Sequence, residues 1–230
     1  MVPHEDSSLF PRSAGDAAAD DAPLDLAASA ALIETQRARV AAATDLDARL
    51  LFGVWGAAWL VGFAALYAVA LDPPLLGWPA WSAGALFAAL LVAAMVVTAV
   101  HIASRSKGVR GVSSRAGAMY GWGWGLSFGG VAALGSALAR AGASAEVMQL
   151  VMTVVPALLV GALYMVGAAM SGSRTQFALG AWIAAVTIVA ATVGAPGILA
   201  VMSVAGGGGM LVGAVLEQLR RRRMSPRADR

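Results

Sequence analysis

The stretch Leu50-Leu-Phe-Gly-Val-Trp-Gly-Ala-Ala-Trp-Leu-Val-Gly-Phe-Ala-Ala-Leu-Tyr-Ala-Val-Ala-Leu71 contains no Asp, Glu, Lys or Arg. At a rise of about 1.5 Å per residue, some 20 apolar residues cross the roughly 30 Å of hydrocarbon in a bilayer, and a helix of that length satisfies its backbone groups internally. Working outward, five more segments share this character: residues 81–101, 120–139, 147–170, 177–193 and 197–216. The last two are separated only by Gly194-Ala195-Pro196, ordinary turn chemistry, with one re-entrant segment as the alternative. The reading is an all-α polytopic membrane protein of six transmembrane helices.

Composition agrees. Of the 230 residues, 59% are hydrophobic and 13% charged, against about 25% charged in a soluble domain. A soluble single domain is thereby excluded. Cysteine is absent, which removes disulfide scaffolds, thiolate metal sites, Fe–S clusters and Cys nucleophiles together.

Orientation follows from Lys and Arg in the short loops, since these residues resist translocation while acids contribute little. In a six-span chain every Lys and Arg except Arg140 falls on one side. Both termini are therefore predicted to be cytoplasmic, in the inner (plasma) membrane. The ends differ sharply in charge: residues 1–25 hold six acids against Arg12, and residues 217–230 hold six arginines against Glu217 and Asp229. No basic segment followed by an early apolar core marks a cleaved signal peptide.

Residues 1–24 read as a disordered acidic tail, and 25–43 as a helix that is either solvated or lies at the cytoplasmic headgroup surface. Thr44-Asp45-Leu46-Asp47 fits a capping box with Thr44 as N-cap, opening the first span from the cytosol. The transmembrane domain covers 50–216, and a basic cytoplasmic tail covers 217–230.

An internal pattern suggests three tandem helical hairpins. Each odd helix is entered by an arginine, an aromatic and then a Trp: Arg49, Phe52, Trp55; Arg115, Tyr120, Trp124; Arg174, Phe177, Trp182. Each even helix carries a related run, Leu91-Val-Ala-Ala-Met95, Leu159-Val-Gly-Ala-Leu163 and Leu211-Val-Gly-Ala-Val215. The competing explanation is that Trp, Tyr and Arg collect at any membrane interface.

Small residues recur every four positions in the third helix, at Gly121, Gly125, Gly129, Ala133 and Ala137, and again at Gly209 and Gly213. In lipid, close backbone approach through small residues supplies much of helix association. These stripes are read as packing within the bundle, with a homo-oligomer interface as the alternative. The run Gly206-Gly207-Gly208-Gly209 weakens a turn, because each Gly costs about 1 kcal/mol against Ala in a helix. Pro156 frees a carbonyl one turn back in the fourth helix. Broken helices at mid-depth can hold a solute where they line a cavity. Pro156, Gly206 to Gly209 and Ser127 are therefore the candidate hinge or solute-path residues.

No acid lies within the spans, and His101 beside Thr98 is the only titratable candidate near them. Gly125-Leu-Ser127-Phe-Gly129 imitates a nucleophile elbow, yet it sits inside a helix with no following histidine, where that motif needs a strand–turn–helix and a base. No catalytic residue, metal site or cofactor is predicted, and the chain is read as not an enzyme. The basic elements, residues 105–115 and 220–223, suit anionic lipid headgroups. They lack the interleaved aromatics of a nucleic-acid surface.

Arg49-Leu-Leu-Phe-Gly-Val-Trp-Gly56, Ala116-Gly-Ala-Met-Tyr-Gly-Trp-Gly123 and Ala205-Gly-Gly-Gly-Gly-Met210 together resemble an actinobacterial family of small, uncharacterised multi-pass integral membrane proteins. The resemblance covers about residues 30 to 223 and implies a transporter-like membrane protein with no catalytic residue to carry over. Two functions follow as expectations. One is transport of a small solute along the third, fourth and sixth spans; the other is a non-transporting accessory or sensory subunit that presents its charged termini to a cytoplasmic partner. A water-accessible cavity reaching Gly207 favours the first and a packed bundle the second.

Overall fold

The computed structural model describes residues 26–44, 47–105 and 112–224, all helix and connecting turn, with no strand among them. The chain divides into two units, Met1–Asp45 and Leu46–Arg230. The first contributes helix α1 (Leu26–Thr44), whose Leu32 and Ile33 are exposed. The acidic segment 1–24 lies outside the described residues.

The second unit holds six long helices: α2 (Ala48–Ala70), α3 (Ala80–Arg105), α4 (Val112–Arg140), α5 (Ala145–Ser171), α6 (Arg174–Val193) and α7, which runs from Gly197 to Met224. Their ends are set by local chemistry. Asp47, Ser144 and Ser173 are N-caps whose side chains accept first-turn N–H groups of α2, α5 and α6, as short oxygen-bearing side chains do at a helix start. Gly172 closes α5 at φ 70°, a left-handed conformation that favours glycine. Thr44 is the last residue of α1 and Asp47 the cap of α2, so Thr44 does not open the first span as the capping-box reading expected.

Five helices are long and apolar enough to cross a membrane: α2, Trp81–Arg105 in α3, α5, α6 and Gly197–Arg222 in α7. Of the six segments expected from the sequence, residues 120–139, within α4, are the ones that do not reach this measure. At 29 residues α4 has the length, but its seven glycines and its Ser and Trp residues dilute its hydropathy. It nevertheless lies along α5: Tyr120, early in α4, donates to the Leu163 carbonyl at 2.7 Å, and Gly135, late in α4, sits against Met152. Helix α7 takes in the start of the expected basic tail, continuing through Glu217 and the arginines to Met224, with Glu217 paired to Arg221 one turn on.

Packing orders the helices as a row: α3 on α2, α2 on α7, α7 on α6, α6 on α5, α5 on α4. The buried core runs through its middle, with Phe52, Trp59 and Phe63 of α2, Ile198, Met202 and Met210 of α7, Leu179 and Ile183 of α6, and Ala157 and Val160 of α5. A glycine serves each junction. Gly62 meets Phe87 of α3, Gly56 faces Gly207 of α7, Gly209 lies under Trp182 of α6, Gly180 faces Gly161 of α5, and Gly135 meets Met152. Where no side chain intervenes the backbones approach closely, and dispersion and weak polar contacts replace the hydrophobic gain that lipid withholds.

The two helices of each expected hairpin do pack together, and the third hairpin sits between the other two. The recurring tryptophans each reach the even helix of their own hairpin. The Trp55 indole donates to Thr98 at 3.0 Å, Trp124 lies 5.8 Å from the Tyr164 ring, and the Trp182 indole donates to the Ala205 carbonyl at 3.0 Å. Neither side of these contacts keeps a fixed register: the tryptophans follow their aromatics by three, four and five residues, and their targets stand at different offsets from the three Leu-Val runs.

Candidate functional site

The glycine run does not break α7; it widens it. Residues Met202–Gly207 form a π-turn between α-helical Gly197–Val201 and Gly208–Met224. A π-turn accommodates one extra residue in the helix and misaligns its carbonyls, and such turns occur often at functional sites. Glycine makes the insertion inexpensive here, because the added width crowds no side chain on the faces turned to α2 and α6.

Those faces are filled by protein. A Cβ on Gly207 would stand 2.8 Å from Leu60 Cα and 2.9 Å from the Gly56 carbonyl, and one on Gly206 would stand 3.2 Å from the Trp59 ring. Gly209 is covered by the Trp182 indole, whereas Gly208 meets nothing within 4 Å. The misaligned polar groups also have partners. The Ala205 carbonyl accepts from the Gly208 N–H and the Trp182 indole, which uses both of its lone pairs. Buried Ser203 donates to the Leu60 carbonyl at 2.8 Å. Fully buried Thr187 donates to the Ile183 carbonyl at 2.7 Å, with Met202 Sδ at 3.9 Å. The lining is thus hydroxyl, indole, thioether and backbone, and none of it titrates near neutral pH.

The other expected path residues lie elsewhere. Pro156 is half-buried within α5 and Ser127 half-buried within α4, and α6 stands between α5 and most of α7. The residues that close Gly206, Gly207 and Gly209 come from α2 and α6, whereas Pro156 stands on α5 and Ser127 on α4. Gly121, Gly125 and Gly129 meet nothing within 4 Å, and Trp122 and Leu126 beside them are 71% and 70% exposed. Among the described residues these three glycines therefore pack on no other helix, because α4 turns its Tyr120–Trp124 side to α5 instead. A Cβ on Gly213 would make an ordinary contact with Phe52 at 3.5 Å.

A second polar centre, which the sequence reading missed, joins four helix ends. The Asp47 carboxylate accepts from the Arg49 N–H at 3.0 Å and from its guanidinium at 2.8 and 2.6 Å. This hydrogen-bonded pair holds the Asp47 carboxyl down to about 2. Arg49 also donates to Gln218 of α7. One residue away Glu217, only 7% exposed, binds Arg221 at 2.9 Å, and Arg220 donates to Thr175 of α6 at 3.3 Å. From α3, His101 Nε2 accepts the backbone N–H of Asp47 at 3.0 Å. The signal for half of this cluster was in the sequence, as the spacing of Glu217 with Arg220 and Arg221 on one helical face.

Among the described residues no group of three His, Cys, Asp or Glu could hold a metal ion. No family model, curated protein or solved structure matches this chain.

Proposed function

We propose that the chain is an integral membrane protein that crosses the bilayer six times and serves as a non-transporting accessory subunit. The arginine-rich end faces the cytoplasm of the inner (plasma) membrane, and the charged terminal segments meet a cytoplasmic protein partner. The observation that carries this reading is the filling of the π-turn. Gly206, Gly207 and Gly209 are closed by Trp59, Leu60 and Trp182, and the Ala205 carbonyl and the Ser203 hydroxyl are taken by protein groups. The polar groups named here are thus engaged with protein and are not offered to replace the hydration shell of a solute. The sixth crossing is α4, whose contacts with α5 at both Tyr120 and Gly135 span most of a membrane thickness. Lys and Arg asymmetry supports the orientation, and anionic lipid suits the same basic end.

Native mass spectrometry of the C-terminally tagged protein, released gently from its own membrane, tests the assignment. A stoichiometric second polypeptide that is lost on deletion of residues 1–43 is the expected result. A lone chain or homo-oligomer overturns the accessory role. One observation favours solute transport, the π-turn itself, whose weakened hydrogen-bond ladder gives α7 a place to rearrange. That second reading predicts uptake by proteoliposomes holding the chain alone.

A further inference from the structure

Two of the four glycines in the middle of α7 are not explained by what they touch. A Cβ on Gly207 would meet the Leu60 backbone, with its Cα at 2.8 Å, and one on Gly209 would meet the Trp182 indole, with Cε2 at 2.9 Å, so neither place admits a side chain. A Cβ on Gly208 would meet nothing within 4 Å, and one on Gly206 would meet the Trp59 ring at 3.2 Å. Gly206 and Gly208 each stand one residue before a place that demands glycine. We propose that α7 is a register switch. Its π-turn relaxes to regular α-helix, and the residues from the middle of the turn onward advance by one place, which sets Gly206 against Leu60 and Gly208 under Trp182.

The turn fixes the size and direction of this step. Ile198 and Met210, 0% and 1% exposed, both lie in the core. The twelve residues from one to the other make about 3.3 turns of regular helix, whereas eleven make about 3.1 and return to the same face. The π-turn therefore holds one extra residue. Its loss carries each following residue to the place of the next, about 1.5 Å along the axis and about 100° around it. The opposite step is barred, because it would set Met210 under Trp182, where only glycine fits.

At the arginine-rich end the step exchanges partners. Gln218, which accepts from Arg49, gives its place to Glu217, and Leu216 enters the buried seat that Glu217 leaves. A Glu217–Arg49 pair thus replaces the Glu217–Arg221 pair. The Trp182 bond persists, since the Val204 carbonyl arrives where the Ala205 carbonyl stood. The cost is in packing. Gly209 in the seat of Met210 leaves a void in the core, which makes the shifted register the minor one. A change in the core at Leu60 or Trp182 is thereby relayed to the acid that faces Arg49, whether the chain serves a partner or carries a solute.

Because the chain has no cysteine, a spin-label pair can be placed cleanly at Ala103→Cys and Leu219→Cys, both exposed. Double electron–electron resonance on the full chain in nanodiscs should give one principal distance in the parent. Gly208→Ala is free in the present register and barred from the shifted one by Trp182, so it should keep that distance and melt as the parent does. Gly207→Ala is barred from the present register by the Leu60 backbone, and in the shifted one it takes the open place of Gly208, so its principal distance should move to a new value. The double variant has no free register and should lose more in melting temperature than the two single variants together. A Gly207→Ala chain that keeps the parent's distance overturns the switch, as does a double variant that loses only the sum of the singles. If Gly207→Ala does not fold, Gly209→Met decides. It refills the Met210 seat only in the shifted register and should give the new distance; a Gly209→Met chain that keeps the parent's distance, or does not fold, overturns the switch.

Discussion

At the scale of single residues, Gly180 and Gly125 differ in what a methyl group would meet. On Gly180 it would stand 2.6 Å from the Gly161 carbonyl, on Gly207 2.8 Å from Leu60 Cα, and on Gly125 it would meet nothing within 4 Å. Backbone cannot swing aside as a side chain can, so Gly180→Ala and Gly207→Ala should each lose about 1–3 kcal/mol. Gly125→Ala should stay within about 0.5 kcal/mol of the parent; thermal melts in detergent check all three. The four-residue spacing of the α4 glycines was legible in the sequence. The direction they face was not, because a helix in lipid has no polar side to betray its orientation. Asp47 gives a pH prediction. Its carboxyl is depressed to about 2 from 3.8, so its stabilising contribution is present above the ordinary carboxylate range and is lost as pH falls from about 4 toward 2. Because the pair sits at a partly exposed helix end, solvent screening holds its contribution to about 1 kcal/mol. Asp47→Asn should melt lower than the parent at pH 6, and the gap should narrow at pH 3. An equal gap at both values would remove the ion pair from the account.

At the scale of elements, α7 depends on its neighbours for its shape. The sequence marked Gly206 to Gly209 as a weak turn, since glycine propensity is a local property. Whether the turn breaks, bends or widens depends on Trp182 and Leu60, which lie on other helices and accept or donate the bonds that fix the π-turn. Local propensity could not contain that information. Trp182→Phe keeps the ring against Gly209 and removes the indole N–H, leaving the carbonyl of half-buried Ala205 with one partner fewer. The expected cost is about 0.5–1.5 kcal/mol, with faster amide hydrogen exchange confined to residues near 203–208. Unchanged exchange there would mean that the glycines alone hold the turn. In the C-terminal half of α7, buried Glu217 pairs with Arg221 one turn on, and the helix runs through the arginines to Met224.

At the scale of the whole molecule, apolar length identified five of the helices directly, and the sixth stands on its packing against α5. The order of the row was beyond the sequence, because every span is apolar and only glycine-to-backbone fits distinguish one neighbour from another. If the arginine-rich end is cytoplasmic, Ala141→Cys should react with an impermeant thiol reagent in intact cells, and Ala103→Cys only after permeabilisation. The reverse pattern would invert the orientation. The central claim is that the middle of α7 is packed dry by α2 and α6 and lines no aqueous path, and Ser203 tests it most directly, because its side chain is buried against the Leu60 carbonyl of α2 and a cysteine is close to it in size. The measurement is the reaction of Ser203→Cys, in an otherwise cysteine-free chain, with a small cationic methanethiosulfonate applied to the membrane-embedded protein from each side. The account predicts no modification from either side while Ala141→Cys reacts fully, and rapid modification of Ser203→Cys would contradict it by placing water at the π-turn.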